Sequence, residues 1–388
     1  MIYFDNASTS FPKAPGVASR VAELIETGCF NINRGVYSGS MAMSEMVFDT
    51  RERLCGLFGC SDSRNVIFTS GATQSLNIIL KGLLKSGDRV VTSTMEHNSM
   101  LRPLHQLEQG QSGVQTEFIR CDCEGFINLN HFDHLTLKLN KKPRAMMLNH
   151  ASNVCGSVQD VGLIGRLCRE RDIIFIVDAS QTAGVLPIDI ERDCIDVLVF
   201  TGHKGLLSVQ GIGGFVIGEN AAPIFLNMPP LLTGGTGSFS DSLEPPSLLP
   251  DRFEAGTLNL PGIAALNASL EHLEQKGVDN IHAHEQELRH LFIEHLCKLP
   301  NIRLVGTEYN SRAVAIVSVD FIGRDNGEIA DLLDAKAQIM VRSGLHCAPL
   351  AHKALNTYPQ GTVRFSFGYA NTHDEIRQCI EALESIII

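Results

Sequence analysis

The chain has 388 residues, enough for one large core and a smaller second one, with 44% hydrophobic and 19% charged residues, as expected of a globular protein. A formal net charge of −11, no tryptophan and 6% aromatic residues exclude a basic, base-stacking nucleic-acid platform. The amino-terminal MIYFDNAST has no apolar signal core, apolar runs such as residues 173–177 are too short to span a membrane, and the 11 cysteines follow no disulfide rhythm, so a reduced cytoplasmic setting is expected.

From about residue 45 to residue 270, short apolar runs alternate with helical patterns, the signature of βαβ units around a mainly parallel sheet. The expected strands are 66–69, 89–92, 145–149, 173–177, 197–200 and 214–217, with helices such as 74–84 and 161–170 between them. Residues 229–250 (PPLLTGGTGSFSDSLEPPSLLP) show no periodicity, and a loop of that length is a lid, an interface or a disordered segment. Amphipathic helices follow at 263–275 and 279–299. A strand at 314–321, a helix from Gly327, a strand near 339–342 and a strand at 362–367 come next, and Thr372 and Glu375 form a capping box for the last helix. The expected division is a large domain, 15–262, and a small α+β domain, 263–388, joined by residues 1–14.

Sheets of this kind hold ligands at the carboxyl ends of their strands, so the residues just after each strand carry the chemistry. Ser70-Gly71-Ala72-Thr73 leads from strand to helix and offers bare amides and a hydroxyl to a phosphate, although an ordinary turn uses the same residues. Asp178 ends a buried apolar run with Gln181 three residues on; a carboxylate there needs a partner, such as a protonated ring nitrogen or the next turn's amides. Thr201-Gly202-His203-Lys204-Gly205 follows the next run. Its lysine is either a solvated loop residue or an amine desolvated for imine formation. Glu96-His97-Asn98 brings an imidazole, and Asn149-His150-Ala151-Ser152-Asn153 an amide, to further strand ends. The Gly211-x-Gly213-Gly214 run precedes its strand, which excludes a dinucleotide loop. Cys121-x-Cys123 with His131 and His134 lacks the spacing of a zinc site. Together the strand ends supply what a phosphate, a ring, a pyridine nitrogen, a phenolate and an aldehyde require.

Taken in order, FDNAST, NRGVYS, FTSGATQSLN, MEHNSM, HASNVCG, VDASQTAG, TGHKG, FEAGTLN and RSGLHCAPL resemble the class V aminotransferase-like cysteine desulfurases. The likeness is greatest to their second group, which includes selenocysteine lyases, and covers nearly the whole chain. The resemblance implies the α/β fold of fold-type I enzymes that use pyridoxal 5'-phosphate, with a large, mainly parallel domain and a smaller α+β one. It implies Lys204 as the Schiff-base lysine, His97 as the stacking acid/base group, Asp178 against the pyridinium and Gln181 against the phenolate. Gly71, Ala72, Thr73, Thr201 and His203 would hold the phosphate, and Thr257 would reach that of the neighbouring subunit in a homodimer. Asn153 and Arg364, with Arg34 and Arg342, would bind the carboxylate of L-cysteine or L-selenocysteine. Cys347 would accept the sulfur and pass it to an acceptor protein. The alternation Val363-Arg364-Phe365 turns Arg364 off the apolar face, and Arg342 or His346 would lower the pKa of Cys347. The chain departs from the family where Leu345 replaces a second histidine, Ser8 a common alanine and Thr201 a common serine. A selenocysteine lyase or another carbon–sulfur lyase is the alternative on the same scaffold, and an aminotransferase a more distant one.

Overall fold

The computed structural model describes all residues except 33–34, 111–112, 138–141, 308, 310–311 and 388. Its strands are β1 (Ile2–Tyr3), β2 (Val66–Thr69), β3 (Arg89–Ser93), β4 (Gln115–Ile119), β5 (Ala145–Asn149), β6 (Ile174–Asp178), β7 (Val197–Thr201), β8 (Gly213–Ile217), β9 (Ile302–Val305), β10 (Ile316–Phe321), β11 (Ile339–Met340), β12 (Arg342–Gly344) and β13 (Thr362–Ser366).

Seven of them form one sheet in the order β2-β8-β7-β6-β5-β3-β4. Strands β7, β6, β5, β3 and β4 run parallel, and β8 is antiparallel to both neighbours. Every residue of β2, β3 and β5 to β8 is buried. A strand covered on both faces reads as a continuous apolar run, which is why these runs stand out in the sequence. Alternate residues serve opposite faces. Phe175, Val177, Leu198 and Phe200 join one core, and Ile174, Ile176, Val197 and Val199 the other.

A second, antiparallel sheet has the order β12-β13-β10-β9. Val317, Val319, Val363 and Phe365 pack with Leu288 and Phe292 of the helix Val278–Leu296 and with Ile376 and Leu383 of the helix His373–Ile387. The run expected as one strand near 339–342 is two. Ile339 and Met340 pair in parallel with Ile2 and Tyr3, while Arg342 begins β12 against β13. The amino-terminal arm thus starts in the second core, with Ile2 and Phe4 buried there, and runs on toward the carboxyl ends of the large sheet's strands.

Candidate active site

A cavity of about 320 Å³ opens where those strand ends meet the second sheet, a volume suited to a small cofactor with a substrate. Gly71, Ala72, Thr73, His97, Asn153, Asp178, Gln181, Thr201, His203, Lys204, Arg342 and Arg364, scattered over the sequence, line it together.

One end is built for an anion. After β2, Gly71 adopts φ 146° and begins the helix Ala72–Leu83, which no side chain caps. Free first-turn amides and the positive end of the helix dipole favour a phosphate. Thr201, at the end of β7, lies beside Gly71, its hydroxyl 3.5 Å from where a Cβ would sit. His203 Nδ1 is buried without a partner among the described residues. Burial, then the charges of Lys204 and Lys13, push the His203 ring down to about 4, so it is neutral at ordinary pH. The His203 carbonyl accepts from Ser10 N (2.8 Å), Thr9 Oγ1 (3.0 Å) and Lys13 Nζ (3.2 Å), which pins the arm to this loop.

Lys204 is half-buried on the cavity wall. Desolvation pushes its amine down to about 8, against the opposing pull of Asp178. The glycine after it is a packing requirement, since a Cβ on Gly205 would meet Val185 Cγ2 at 2.5 Å and Ala183 O at 2.6 Å. Asp178 ends β6, its Oδ1 accepting from Ser180 N (2.9 Å) and Ser180 Oγ (2.5 Å). Gln181 donates one amide N–H to Ala7 O at 3.1 Å.

His97 caps the helix Asn98–Gln109, its Nδ1 accepting from Ser99 N at 3.0 Å. A neutral ring that accepts at Nδ1 carries its proton on Nε2. Burial first, and then the Lys204 charge, push this imidazole down to about 4. The residue before it in the chain, Glu96, is one that the sequence alone does not single out. Glu96 is fully buried, accepts from Ser93 Oγ (2.6 Å) and Asn149 N (2.9 Å), and is pushed up to about 8 by burial. It ties β3 to β5 and so fixes where His97 begins its helix. A carboxylate within three residues of a buried strand was its only signal in the sequence.

The other end is built for a carboxylate. Val363 and Phe365 face the second core while Arg364 faces the cavity, yet its guanidinium is buried, with 1% of the side chain exposed. Arg364 donates to Asn153 O (2.9 Å), Asp5 Oδ1 (2.7 Å) and Ser8 Oγ (2.8 Å), and its Nε has no partner among the described residues. Asn153 donates to His346 O at 2.7 Å, and its Oδ1 is unpaired among the described residues. Unpaired buried polar atoms cost about 1–3 kcal/mol each, so a wall carrying several is shaped for a polar ligand.

Cys347 is exposed at the rim, at φ 58°, in a shallow groove it shares with Thr73, His97, Ser99 and Arg102. Its carbonyl accepts from Asn98 N at 2.8 Å, and its Sγ accepts from Arg342 Nη2 at 3.6 Å. Of the two neighbours expected to act on this thiol, only Arg342 reaches it. The His346 ring turns inward to Thr362 Oγ1 (3.0 Å) and His352, and burial holds it well below the ordinary imidazole range. Thr257 is exposed and outside this cavity, and Arg34 lies outside the described residues.

The class-V aminotransferase family model matches residues 2–379. A protein of Pyrococcus abyssi named "Probable cysteine desulfurase" is 32% identical, across 100% of this chain and 94% of the relative. The chain belongs to the class-V aminotransferase family, in its cysteine desulfurase branch. A cysteine desulfurase structure from Thermococcus onnurineus aligns with this class-V chain at a TM-score of 0.91 and 31% identity, covering 100% and 94% of the two chains. A cysteine desulfurase structure from Escherichia coli, at 24% identity and a TM-score of 0.87 over 99% and 94%, has the same fold. The mainly parallel α/β architecture expected from the sequence is therefore the family's own.

Proposed function

We propose that this chain is a pyridoxal-phosphate-dependent cysteine desulfurase, which converts L-cysteine to L-alanine and takes the sulfur onto Cys347. The observation that carries this is the convergence of the Lys204 amine, the Asp178 carboxylate and the neutral His97 ring on one cavity, with the Cys347 thiol at its rim. The relatives' names support cysteine over the other substrates considered. The cavity fits the cofactor on its own chemistry: an uncapped helix start and the unpaired His203 Nδ1 at one end, the unpaired Asn153 Oδ1 and Arg364 Nε at the other.

When bound, pyridoxal phosphate supplies an aldehyde for an amine and a ring that stabilises charge at the substrate's α-carbon. The protein's part follows from its residues. The amides of Ala72 and Thr73, with the Thr73 and Thr201 hydroxyls and His203, hold the phosphate. Asp178 keeps its free oxygen for a ring N–H, and Gln181 retains a second amide N–H for the phenolate. Arg364 and Asn153 orient the substrate carboxylate. Lys204, with an amine that titrates near the working pH, takes the α-proton on Nζ and returns a proton to the α-carbon once the sulfur has left. Cys347 attacks the substrate sulfur as a thiolate: its Sγ–S bond forms, the carbon–sulfur bond breaks, and that electron pair stays with the substrate carbon, which is then protonated to alanine.

Two wider readings belong to the same proposal. The exposed Leu231, Leu232, Phe239, Leu243 and Leu248 of the long loop support a homodimer interface, from which Thr257 would enter the partner's cavity. The two sheets support a division into a large domain and a small one joined by the arm. Incubating the purified protein with L-cysteine and a thiol reductant should release alanine and sulfide in equal amounts. Sulfide without alanine, or neither, would overturn the reading.

A further inference from the structure

Arg342 and Arg364 lie directly opposite each other on β12 and β13. Like charges paired across strands repel, and such a pair persists only with acceptors between them. One of those acceptors is Ser8, where the resembling family commonly has alanine. Its Oγ donates to Asp5 Oδ1 (2.8 Å) and accepts from Arg364 Nη2 (2.8 Å) and Arg342 Nη1 (3.0 Å), which uses its one proton and both lone pairs. The two arginines do not depend on it equally. Arg364 keeps Asn153 O and Asp5 Oδ1 without Ser8, whereas among the described residues Arg342 has two polar contacts, on opposite arms of its fork, Ser8 Oγ and Cys347 Sγ.

We propose that Ser8 is a positioning residue for the sulfur acceptor: it fixes one arm of the Arg342 guanidinium so that the other rests on the Cys347 sulfur. The amino-terminal arm thereby joins the two ends of the site. Its Thr9, Ser10 and Lys13 hold the His203 carbonyl beside Lys204, and its Ser8 holds the arginine beside the thiol. A guanidinium N–H held at 3.6 Å orients the sulfur and gives it a charged donor where it meets an electrophile. With alanine at position 8, Arg342 Nη1 loses its acceptor, faces Arg364 without an intervening oxygen, and swings away from the sulfur. Arg364, still anchored, continues to hold the substrate carboxylate.

The inference rests on the desulfurase reading only for what Cys347 does, and its test needs no turnover. The purified holoenzyme, Ser8→Ala and Ser8→Thr are alkylated with iodoacetamide at neutral pH, and the rate at each cysteine is followed by peptide mass spectrometry. Cys347 should react about 3- to 10-fold more slowly in Ser8→Ala, as expected for the loss of one hydrogen bond of ordinary net strength. The rate should return to within about twofold of wild type in Ser8→Thr, which restores the hydroxyl. The exposed Cys29, Cys123 and Cys297 should react at unchanged rates in both variants. In steady state, Ser8→Ala should lower kcat more than it raises KM. An unchanged Cys347 rate in Ser8→Ala, or no recovery in Ser8→Thr, overturns the proposal. Failure of the desulfurase reading would appear instead as absent alanine release, with the alkylation pattern intact.

Discussion

A lysine amine in water holds its proton to about pH 10, and an amine in that state neither forms an imine nor takes a proton from carbon. Burial of Lys204 brings the value down to about 8, with Asp178 limiting the fall. The motif TGHKG was legible as a lysine after a buried strand, but its desolvation was not, because the cavity wall it shares is completed by Ala7, Ser180 and Arg364, distant in the sequence. Borohydride reduction of the holoenzyme should therefore fix a pyridoxyl group on Lys204, located by peptide mapping, and an adduct on Lys13 or Lys353 would contradict the assignment. Arg364 was legible from its alternation with apolar neighbours, whereas its ties to Asp5 and Ser8 were not, since a residue near the chain's start gives no sign of its partner near the end. Arg364→Lys replaces a fork with a point charge and should raise KM for L-cysteine about 10-fold or more while the cofactor spectrum stays as it was. An unchanged KM would remove Arg364 from the carboxylate site.

At the scale of elements, the buried strands of the large sheet were read from the sequence to within a residue because both faces of each are covered. Strand β4 escaped notice: Gln115-Thr116-Glu117 at a sheet edge is polar on its exposed side and leaves no apolar run. The helix Leu260–Lys276 shows a different limit. Periodicity located it, yet the boundary expected after residue 262 falls inside it, and Ile263, Ala265, Leu266 and Leu270 pack in the large sheet's core. An amphipathic pattern says that a face is buried without saying against which core. The next helix, Val278–Leu296, carries Glu285 at 6% exposure, and burial pushes its carboxyl up to about 8. An unfolded glutamate titrates near 4.3, roughly where acid begins to neutralise it. The carboxyl's contribution to stability is thus complete below that value and is lost as pH rises through about 8. Glu285→Gln does not titrate, so its melting temperature relative to wild type should climb between pH 5 and pH 8.5, at about 2–4 °C for each kcal/mol regained. A difference that stays constant over that range would mean that the carboxyl is not buried in the native protein.

For the molecule as a whole, apolar side chains left in water need a reason. Leu243, fully exposed, stands with Leu231, Leu232 and Phe239 in the irregular segment before Thr257, and Val36, Tyr37 and Met41 are exposed at the start of the helix Ser38–Phe58. Isolated apolar residues on a surface are ordinary, but a contiguous set is more often covered. Light scattering should give twice the chain mass, and Leu243→Asp should weaken the association and cofactor retention together if Thr257 serves the partner's phosphate. A monomer that holds its cofactor with full activity would separate the site from any interface. What joins these scales is the placement of a thiol at the mouth of a cavity made for an amine-bearing substrate, and it has a direct test. The holoenzyme is exposed briefly to L-cysteine, quenched with an alkylating agent, digested and weighed peptide by peptide. The expected result is one additional sulfur atom on the peptide bearing Cys347, with alanine formed in the same amount. Additional sulfur on another cysteine, or alanine formed at the wild-type rate by Cys347→Ala, would contradict it.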